Sequence, residues 1–295
     1  MMKCILFILI TVSLTFSTVP SCHKKETNNS SSLLSYYFDN REIDYINGNN
    51  INISEIIPYV EFESFNIYNF YEYENLRKEK NYTYIQTLNR INYPNFYKKY
   101  VSVKPAIFTN SFLTLVNKGH YVDSSFIPND IIALKNTNIT YIKRENEIMQ
   151  ANKTILENYS LLEQAAKKEN FNLYVFSAYR SFDKQRYIYY NINNCNDETV
   201  ARPGFSEHQL GLSLDISTLE YGLTNYLKDS EEYNWLIKNA HKYGFILRYP
   251  QGKEEYTGYA YEPWHFRYVG KDVASFIYEN NLTLEEYIYD YLEIK

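Results

Sequence analysis

The sequence has few cysteines and no excess of positive charge, and each shortage excludes a class of protein. Three cysteines, at positions 4, 22 and 195, leave one in the main body, too few for a disulfide framework or for a zinc site of four cysteines. The net charge of -5 argues against a broad phosphate-binding surface, so we expect no nucleic-acid partner. With 45% hydrophobic residues in 295, the chain can still bury a full core and hold more than one domain. No pattern predicts an oligomeric state.

The amino terminus has an apolar run, but it is shorter than the ~20 residues of a membrane-spanning helix. A short basic start is followed by an apolar stretch over 4–16, which predicts a signal peptide or membrane anchor over 1–21. The stretch 19–22 resembles a bacterial lipoprotein processing box, in which Cys22 would be lipidated, although Pro20 departs from its usual pattern. An ordinary secretory signal and an uncleaved anchor are the alternatives. All three predict export to the extracytoplasmic face of a bacterial membrane or to the cell wall.

Two further segments precede the main body of the chain. Residues 22–32 are polar and rich in Ser and Asn, which predicts a flexible tether. Residues 33–105 carry short helical patterns, the clearest over 70–80 and 82–92, and predict a small helical module. This module could bind the wall or act as a spacer, or it could be a structural prefix to the next domain.

The region 106–295 alternates strand and helix patterns without a regular repeat. The sequence predicts strands over 112–116, 173–176, 212–216, 245–249 and 264–269, and helices over 144–170, 183–193, 231–243, 271–280 and 284–292. Irregular alternation of this kind favours an α+β fold over a doubly wound parallel sheet.

Two short motifs in this region contain residue types that bind zinc. His208 and Asp215 lie seven positions apart with Gly211 between them, and His265 follows three positions after Glu262. A catalytic zinc takes about three ligands from His, Asp, Glu and Cys, and leaves a fourth position for water. His208, Asp215 and His265 can supply those ligands, and Glu262 could accept a proton from the water. Together they predict metal-assisted hydrolysis.

The combined motifs resemble the VanY-type D-alanyl-D-alanine carboxypeptidases of the peptidase M15 group. The resemblance rests on Ser206, His208 and Asp215 joined with Glu262 and His265. The stretch 177–181, Ser-Ala-Tyr-Arg-Ser, agrees with the family, as do 115–118 and 126–130. The similarity covers about 112–268.

This resemblance implies a mixed fold shared with the Hedgehog amino-terminal domain, and one Zn²⁺ bound by His208, Asp215 and His265. It implies that Glu262 is the general base and that Arg180 steadies the developing oxyanion or the peptide carboxylate. The residues that would contact the substrate or support the site are Ser206, Ser177 and Tyr179.

The implied reaction is hydrolysis of the terminal D-Ala–D-Ala bond of a peptidoglycan stem peptide. One alternative is an L,D-carboxypeptidase that trims tetrapeptides, and a wall-lytic endopeptidase is a further one. From another class, the chain could be an exported wall-binding protein with a relic site, although such a protein has no need of Glu262.

Overall fold

The computed structural model describes residues 29–62, 64–92, 100, 103–107 and 111–292, with side chains from Leu33 onward. The predicted signal or anchor (1–21) and the first part of the predicted tether (22–28) lie outside these described residues. The first helix begins at Asn29, so the last four residues of the predicted tether are helical instead. No helix in the described part of the chain is both long enough and apolar enough to cross a membrane.

The chain divides into two compact units, with the boundary after Tyr71. The described helices of the first unit are α1 (Asn29–Tyr37), α2 (Asn40–Gly48) and α3 (Ile53–Ile56). Asp39 begins α2 with a capping box, because its carboxylate accepts the backbone N–H of Glu42 and the Glu42 carboxylate accepts that of Asp39. The core of this unit contains the buried side chains of Ile46, Ile56, Tyr59 and Ile67.

The second unit contains a four-stranded antiparallel sheet with helices packed around it. Its helices are α4 (Phe70–Lys80, which starts just before the boundary), α5 (Tyr84–Asn92), α6 (Lys153–Lys168), α7 (Phe182–Tyr187), α8 (Glu231–Asn239), α9 (Glu254–Thr257), α10 (Lys271–Glu279) and α11 (Leu284–Tyr291). Its strands are β1 (Lys104–Pro105), β2 (His120–Tyr121), β3 (Ile131–Ala133), β4 (Gln150–Asn152), β5 (Tyr174–Ser177), β6 (Ser213–Ser217), β7 (Phe245–Leu247) and β8 (His265–Tyr268). The main sheet has the order β5-β6-β8-β7, and β1-β2 and β3-β4 form two small separate pairs.

The two faces of the main sheet have different roles. Leu214 of β6 lies opposite Phe266 of β8, and both are buried in the core that α6 covers. Because side chains alternate along a strand, the neighbouring pair, Asp215 and His265, points to the other face. The sheet thus holds an apolar core on one side and two of the predicted metal ligands on the other.

The predicted boundary of the helical module at residue 105 differs from the division in the structure. The helices predicted over 70–80 and 82–92 are present as α4 and α5, but α5 is attached to the C-terminal helix α11. The Asn89 amide donates to the backbone oxygen of Tyr289 at 3.0 Å, and a guanidinium nitrogen of Arg90 lies 3.5 Å from a carboxylate oxygen of Glu286. These polar contacts place α5 in the second unit.

Three predicted elements are shorter or different in the structure. Residues 112–116 do not form a strand. The backbone N–H and the hydroxyl of Thr114 both donate to the backbone oxygen of Ser111, which forms a turn, and Leu115 forms an isolated bridge to Ile107. The helix predicted over 144–170 begins at Lys153, because Asn152 ends β4 and caps the helix by accepting the N–H of Thr154. The helix predicted over 183–193 changes to a π-helix over 188–192.

Candidate metal centre and active site

His208 lies on a buried single turn of 3-10 helix over Glu207–Leu210. The turn ends at Gly211, whose φ of 69° is in the left-handed region. A Cβ at Gly211 would come within 2.5 Å of the Ile131 side chain, so the close approach of the backbone also requires glycine. The Nδ1 of His208 lies 2.6 Å from the backbone oxygen of Ala178 and donates to it. The other ring nitrogen, Nε2, therefore carries a free lone pair.

Asp215 and His265 are brought together by the ladder between β6 and β8, where they are direct partners in register. The Oδ1 atom of Asp215 lies 3.4 Å from Nε2 of His208 and 3.4 Å from Nδ1 of His265. One candidate ligand atom from each of the three residues lies within 4.8 Å of the other two, and all three residues are buried.

This arrangement fits a divalent cation. Four ligands at zinc's usual bond lengths form a tetrahedron with edges of ~3.4 Å, which matches both distances from the aspartate oxygen. The Nε2 of His208 and the Oδ1 of Asp215 are buried and have no hydrogen-bond partner among the described residues. Unsatisfied buried polar atoms cost free energy unless a ligand or ion pairs with them. The predicted ligand set is therefore assembled as a site that a cation would complete.

Burial and neighbouring charges shift the pKa of each of these three side chains. Burial and the nearby charge of Arg180 lower the pKa of His208 to about 4, so this imidazole is neutral near pH 7. Burial alone would raise the pKa of Asp215, but His208 and His265 hold it below its usual range. Burial lowers the pKa of His265, but its contacts with Glu207 and Glu262 outweigh burial and raise it to about 9.

Glu262 lies at the edge of this group, just before β8. Its Oε2 is 3.4 Å from Nδ1 of His265, and its side chain remains 14% exposed, more than those of the three ligand candidates. The backbone N–H of His265 donates to the backbone oxygen of Glu262 at 3.3 Å, across the turn at Pro263 and Trp264. Burial raises the pKa of the Glu262 carboxyl. Glu262 thus has the position and the basicity of a proton acceptor beside the cluster.

Arg180 is held against the same turn. Its backbone N–H donates to the backbone oxygen of His208 at 3.1 Å. Its Nε is buried without a hydrogen-bond partner in the described part of the chain. Burial lowers the pKa of the Arg180 guanidinium, although the negative charges of Asp215 and Glu262 act to raise it. A partly exposed guanidinium beside the cluster, with its Nε buried and unpaired, is available to an anionic group.

The three other predicted site residues lie around these groups. Ser177 is the register partner of Asp215 on β5, Tyr179 follows it in a loop anchored by a hydrogen bond from its N–H to Gln150, and Ser206 is buried just before the 3-10 turn. Their contacts with a substrate remain predictions.

The sequence analysis missed a buried ionic network behind the cluster. Glu207 accepts hydrogen bonds from Arg248 and Arg267, each at 2.7 Å, and Arg248 also forms two bonds with Glu285 at 2.8 and 2.6 Å. These four side chains are fully buried. The sequence signal was an arginine inside each of two apolar strand patterns, at 248 and 267, because a buried arginine requires a carboxylate partner.

The part of the chain that contains this site is similar to a known protein family. Residues 148–271 match the family described as VanY: D-alanyl-D-alanine carboxypeptidase. The chain is 38% identical over 208 residues to YodJ of Bacillus subtilis strain 168, which carries the name of a carboxypeptidase; the match covers 66% of this chain and 73% of that protein. It is 36% identical to a D-alanyl-D-alanine carboxypeptidase of Enterococcus faecium over 61% of this chain and 58% of the relative, less than two thirds of that relative's length.

Among solved structures, the LdcB LD-carboxypeptidase, whose structure concerns peptidoglycan recognition, is similar with a TM-score of 0.56. It is 40% identical, and the match covers 60% of this chain and 85% of that one. The described helices and antiparallel sheet confirm the predicted α+β fold class, and these similarities confirm the predicted class of enzyme, a carboxypeptidase. This chain belongs to the VanY family of D-alanyl-D-alanine carboxypeptidases.

Proposed function

We propose that this protein is a zinc-dependent carboxypeptidase that hydrolyses the terminal D-Ala–D-Ala bond of peptidoglycan stem peptides. The observation on which the proposal rests is the convergence of His208, Asp215 and His265, with two ligand-to-ligand distances of 3.4 Å. Two nitrogens and one carboxylate oxygen are a typical donor set for catalytic zinc.

The three ligands would hold the ion through Nε2 of His208, Oδ1 of Asp215 and Nδ1 of His265. When bound, zinc supplies Lewis acidity, which polarises the scissile carbonyl and lowers the pKa of a bound water towards ~7. The ladder between β6 and β8 fixes two of the ligands, and the bond from His208 to Ala178 fixes the third. The protein therefore holds the donors before any ion binds.

Glu262 acts as the general base. Its carboxylate accepts a proton from the attacking water and then gives that proton to the amine of the departing D-alanine, so that the carbon–nitrogen bond breaks as a neutral amine leaves. The raised pKa of Glu262 suits both steps, because a stronger base takes the proton more readily at neutral pH. Its partial exposure leaves the carboxylate open to water and substrate.

Arg180 stabilises negative charge on the substrate. Its partly exposed guanidinium has a buried, unpaired Nε close to the cluster, and it can donate either to the developing oxyanion or to the terminal carboxylate of the peptide. Ser206, Ser177 and Tyr179 are the proposed supports of the substrate side.

A second candidate is an L,D-carboxypeptidase that removes the single D-Ala of a tetrapeptide. The observation that favours it is the 40% identity to LdcB, an LD-carboxypeptidase. Both reactions use the same metal and base, so the difference lies in the pocket that receives the residue before the scissile bond. A wall-binding protein with a relic site is disfavoured, because Glu262 remains in contact with His265.

The test is release of D-alanine from two synthetic stem peptides by the zinc-loaded protein, followed by mass spectrometry. One peptide ends in D-Ala–D-Ala, and the other ends in a single D-Ala. Preferential cleavage of the first supports the proposal, and preferential cleavage of the second supports the L,D alternative. If neither peptide is cleaved by protein with stoichiometric zinc, the assignment as a carboxypeptidase is wrong.

We also propose that residues 1–22 export the protein and attach it to the outer face of the membrane through Cys22. The support is the basic and apolar start of the chain and the motif at 19–22. Fatty-acid labelling of the expressed protein tests the attachment, with Cys22→Ala as the control. Label that persists in this variant would contradict lipidation at Cys22.

A further inference from the structure

Glu207 is a buried carboxylate that lies directly behind the metal ligand His265. Its Oε2 is 3.5 Å from Nε2 of His265, on the side of the ring opposite to Asp215 and Glu262. We propose that Glu207 is the positioning residue for His265: it accepts the Nε2–H and so leaves the Nδ1 lone pair directed at the metal. This inference rests on the proposed zinc site.

The first argument is the orientation of the imidazole. A neutral imidazole carries one N–H, and the acceptor that this N–H faces determines which nitrogen is free to bind a metal. Nδ1 of His265 faces Asp215 and Glu262, each at 3.4 Å, whereas Nε2 faces Glu207. Nε2 forms no hydrogen bond with a described residue, and the carboxylate oxygen that it faces is that of Glu207, at 3.5 Å. Glu207 is therefore the acceptor that selects the tautomer.

The second argument is that Glu207 is itself held in place. Its Oε1 accepts from both Arg248 and Arg267 at 2.7 Å, which leaves Oε2 to Ser213, at 3.3 Å, and to His265. The two carboxylate oxygens thus have separate partners. Since Oε1 is fixed by two guanidinium groups, Oε2 cannot turn away from the imidazole without breaking a buried ion pair.

The third argument is the contrast between the two histidine ligands. His208 donates its Nδ1–H to a backbone oxygen, that of Ala178, whereas Nε2 of His265 faces a carboxylate. A carboxylate behind a histidine raises the basicity of the imidazole more than a neutral carbonyl does, which strengthens its bond to the metal. Loss of such a partner typically lowers metal affinity by about 10- to 100-fold.

The test compares Glu207→Gln with a matched control, Glu285→Gln. Each substitution removes one carboxylate from the same buried network, and each carboxylate accepts two strong bonds from arginine. Of these two carboxylates, only that of Glu207 faces His265. The readouts are zinc affinity, from competition with a chelator, and the absorption spectrum of the protein loaded with Co²⁺; neither requires activity.

We expect Glu207→Gln to lower zinc affinity by about 10- to 100-fold and to shift the Co²⁺ bands. We expect Glu285→Gln to destabilise the fold but to leave zinc affinity within about threefold, since the contact with His265 remains. Equal losses of affinity in both variants would overturn the proposal, because the network as a whole would then be responsible. An unchanged affinity in Glu207→Gln would overturn it as well.

A second measurement needs no variant. Nitrogen NMR of the zinc-loaded protein should find the His265 proton on Nε2 and the metal on Nδ1, and the reverse assignment would overturn the proposal. Parent protein that binds zinc but releases no D-alanine would contradict the proposed function and leave the role of Glu207 intact. Parent protein that binds no zinc would contradict both.

Discussion

Replacement of Arg248 by methionine tests the buried ionic network most directly. Arg248 is fully buried and forms three hydrogen bonds of 2.6–2.8 Å with Glu207 and Glu285. Methionine fills a similar volume but leaves two carboxylates in the interior. Glu207 keeps its bond to Arg267, whereas Glu285 keeps, among the described residues, the bond from the side-chain amide of Asn117 at 3.2 Å.

The expected loss follows from the charges involved. Two unit charges ~4 Å apart interact by about 4 kcal/mol at an effective dielectric constant of ~20. Removal of one partner from a buried pair usually costs about 3–5 kcal/mol, because the remaining charge is uncompensated. We therefore expect Arg248→Met to lower the free energy of unfolding by about 4 kcal/mol, a large part of the roughly 5–15 kcal/mol typical of a folded domain.

The assay is urea unfolding of the zinc-free protein, with Arg202→Met as the control. Arg202 forms a similar pair of bonds with Asp197, at 3.0 and 2.6 Å, but its side chain is 45% exposed. Exposed pairs contribute at most about 1 kcal/mol, so the control should lose little. If Arg248→Met is no more destabilised than Arg202→Met, burial does not determine the strength of this network. The double variant Arg248→Met with Glu285→Gln should recover part of the loss.

Three further predictions concern the site and its surroundings. Glu262→Gln should keep its zinc, measured by metal analysis, but lose nearly all D-alanine release, because the amide cannot accept the proton; turnover equal to the parent would exclude Glu262 as the base. Asp215→Ala should lose zinc on dialysis, because the carboxylate is the anionic ligand, and an unchanged zinc content would remove Asp215 from the ligand set. Burial lowers the pKa of His120 to about 4 in the folded protein, whereas an unfolded histidine has a pKa of about 6.5. As the pH falls from about 6.5 to about 4, the unfolded state therefore binds a proton that the folded state does not. The free energy of unfolding should decrease over that window by roughly 3 kcal/mol. A His120→Gln variant should show a correspondingly flatter dependence in denaturation curves at pH 7 and pH 4.5, and an equal slope in both proteins would contradict a neutral buried His120.

The convergence of the three candidate metal ligands could be predicted from sequence because zinc accepts few side-chain types. His208, Asp215 and His265 occur in two short motifs, and a carboxylate within an apolar strand already indicated a buried partner. The fold class followed from the alternation of helices and strands. The order of the strands did not, because the partners Asp215 and His265 are far apart in the chain and are paired only by the tertiary fold.

The pairing within the ionic network could not be predicted because its charges are compensated over long distances in sequence. The arginines at 248 and 267 indicate that buried partners exist, but Glu207 and Glu285 each resemble an ordinary surface residue when only their neighbours in sequence are considered. Their burial depends on the packing of α11 against the sheet. The limits of the helical module were missed for the same reason, since it is contact with α11 that assigns α5 to the second unit.

Because β6 pairs with β8, the geometry of the candidate metal site does not depend on the length of the chain segment that connects these two strands. The hydrogen-bond ladder alone sets the distance between Asp215 and His265, so the connection between these strands can gain or lose residues without moving the donors. A shift of either strand by one residue would instead turn its own candidate ligand into the apolar core. Evolution of substrate preference is therefore free to proceed through the connecting segments, while the strand alignment itself is constrained.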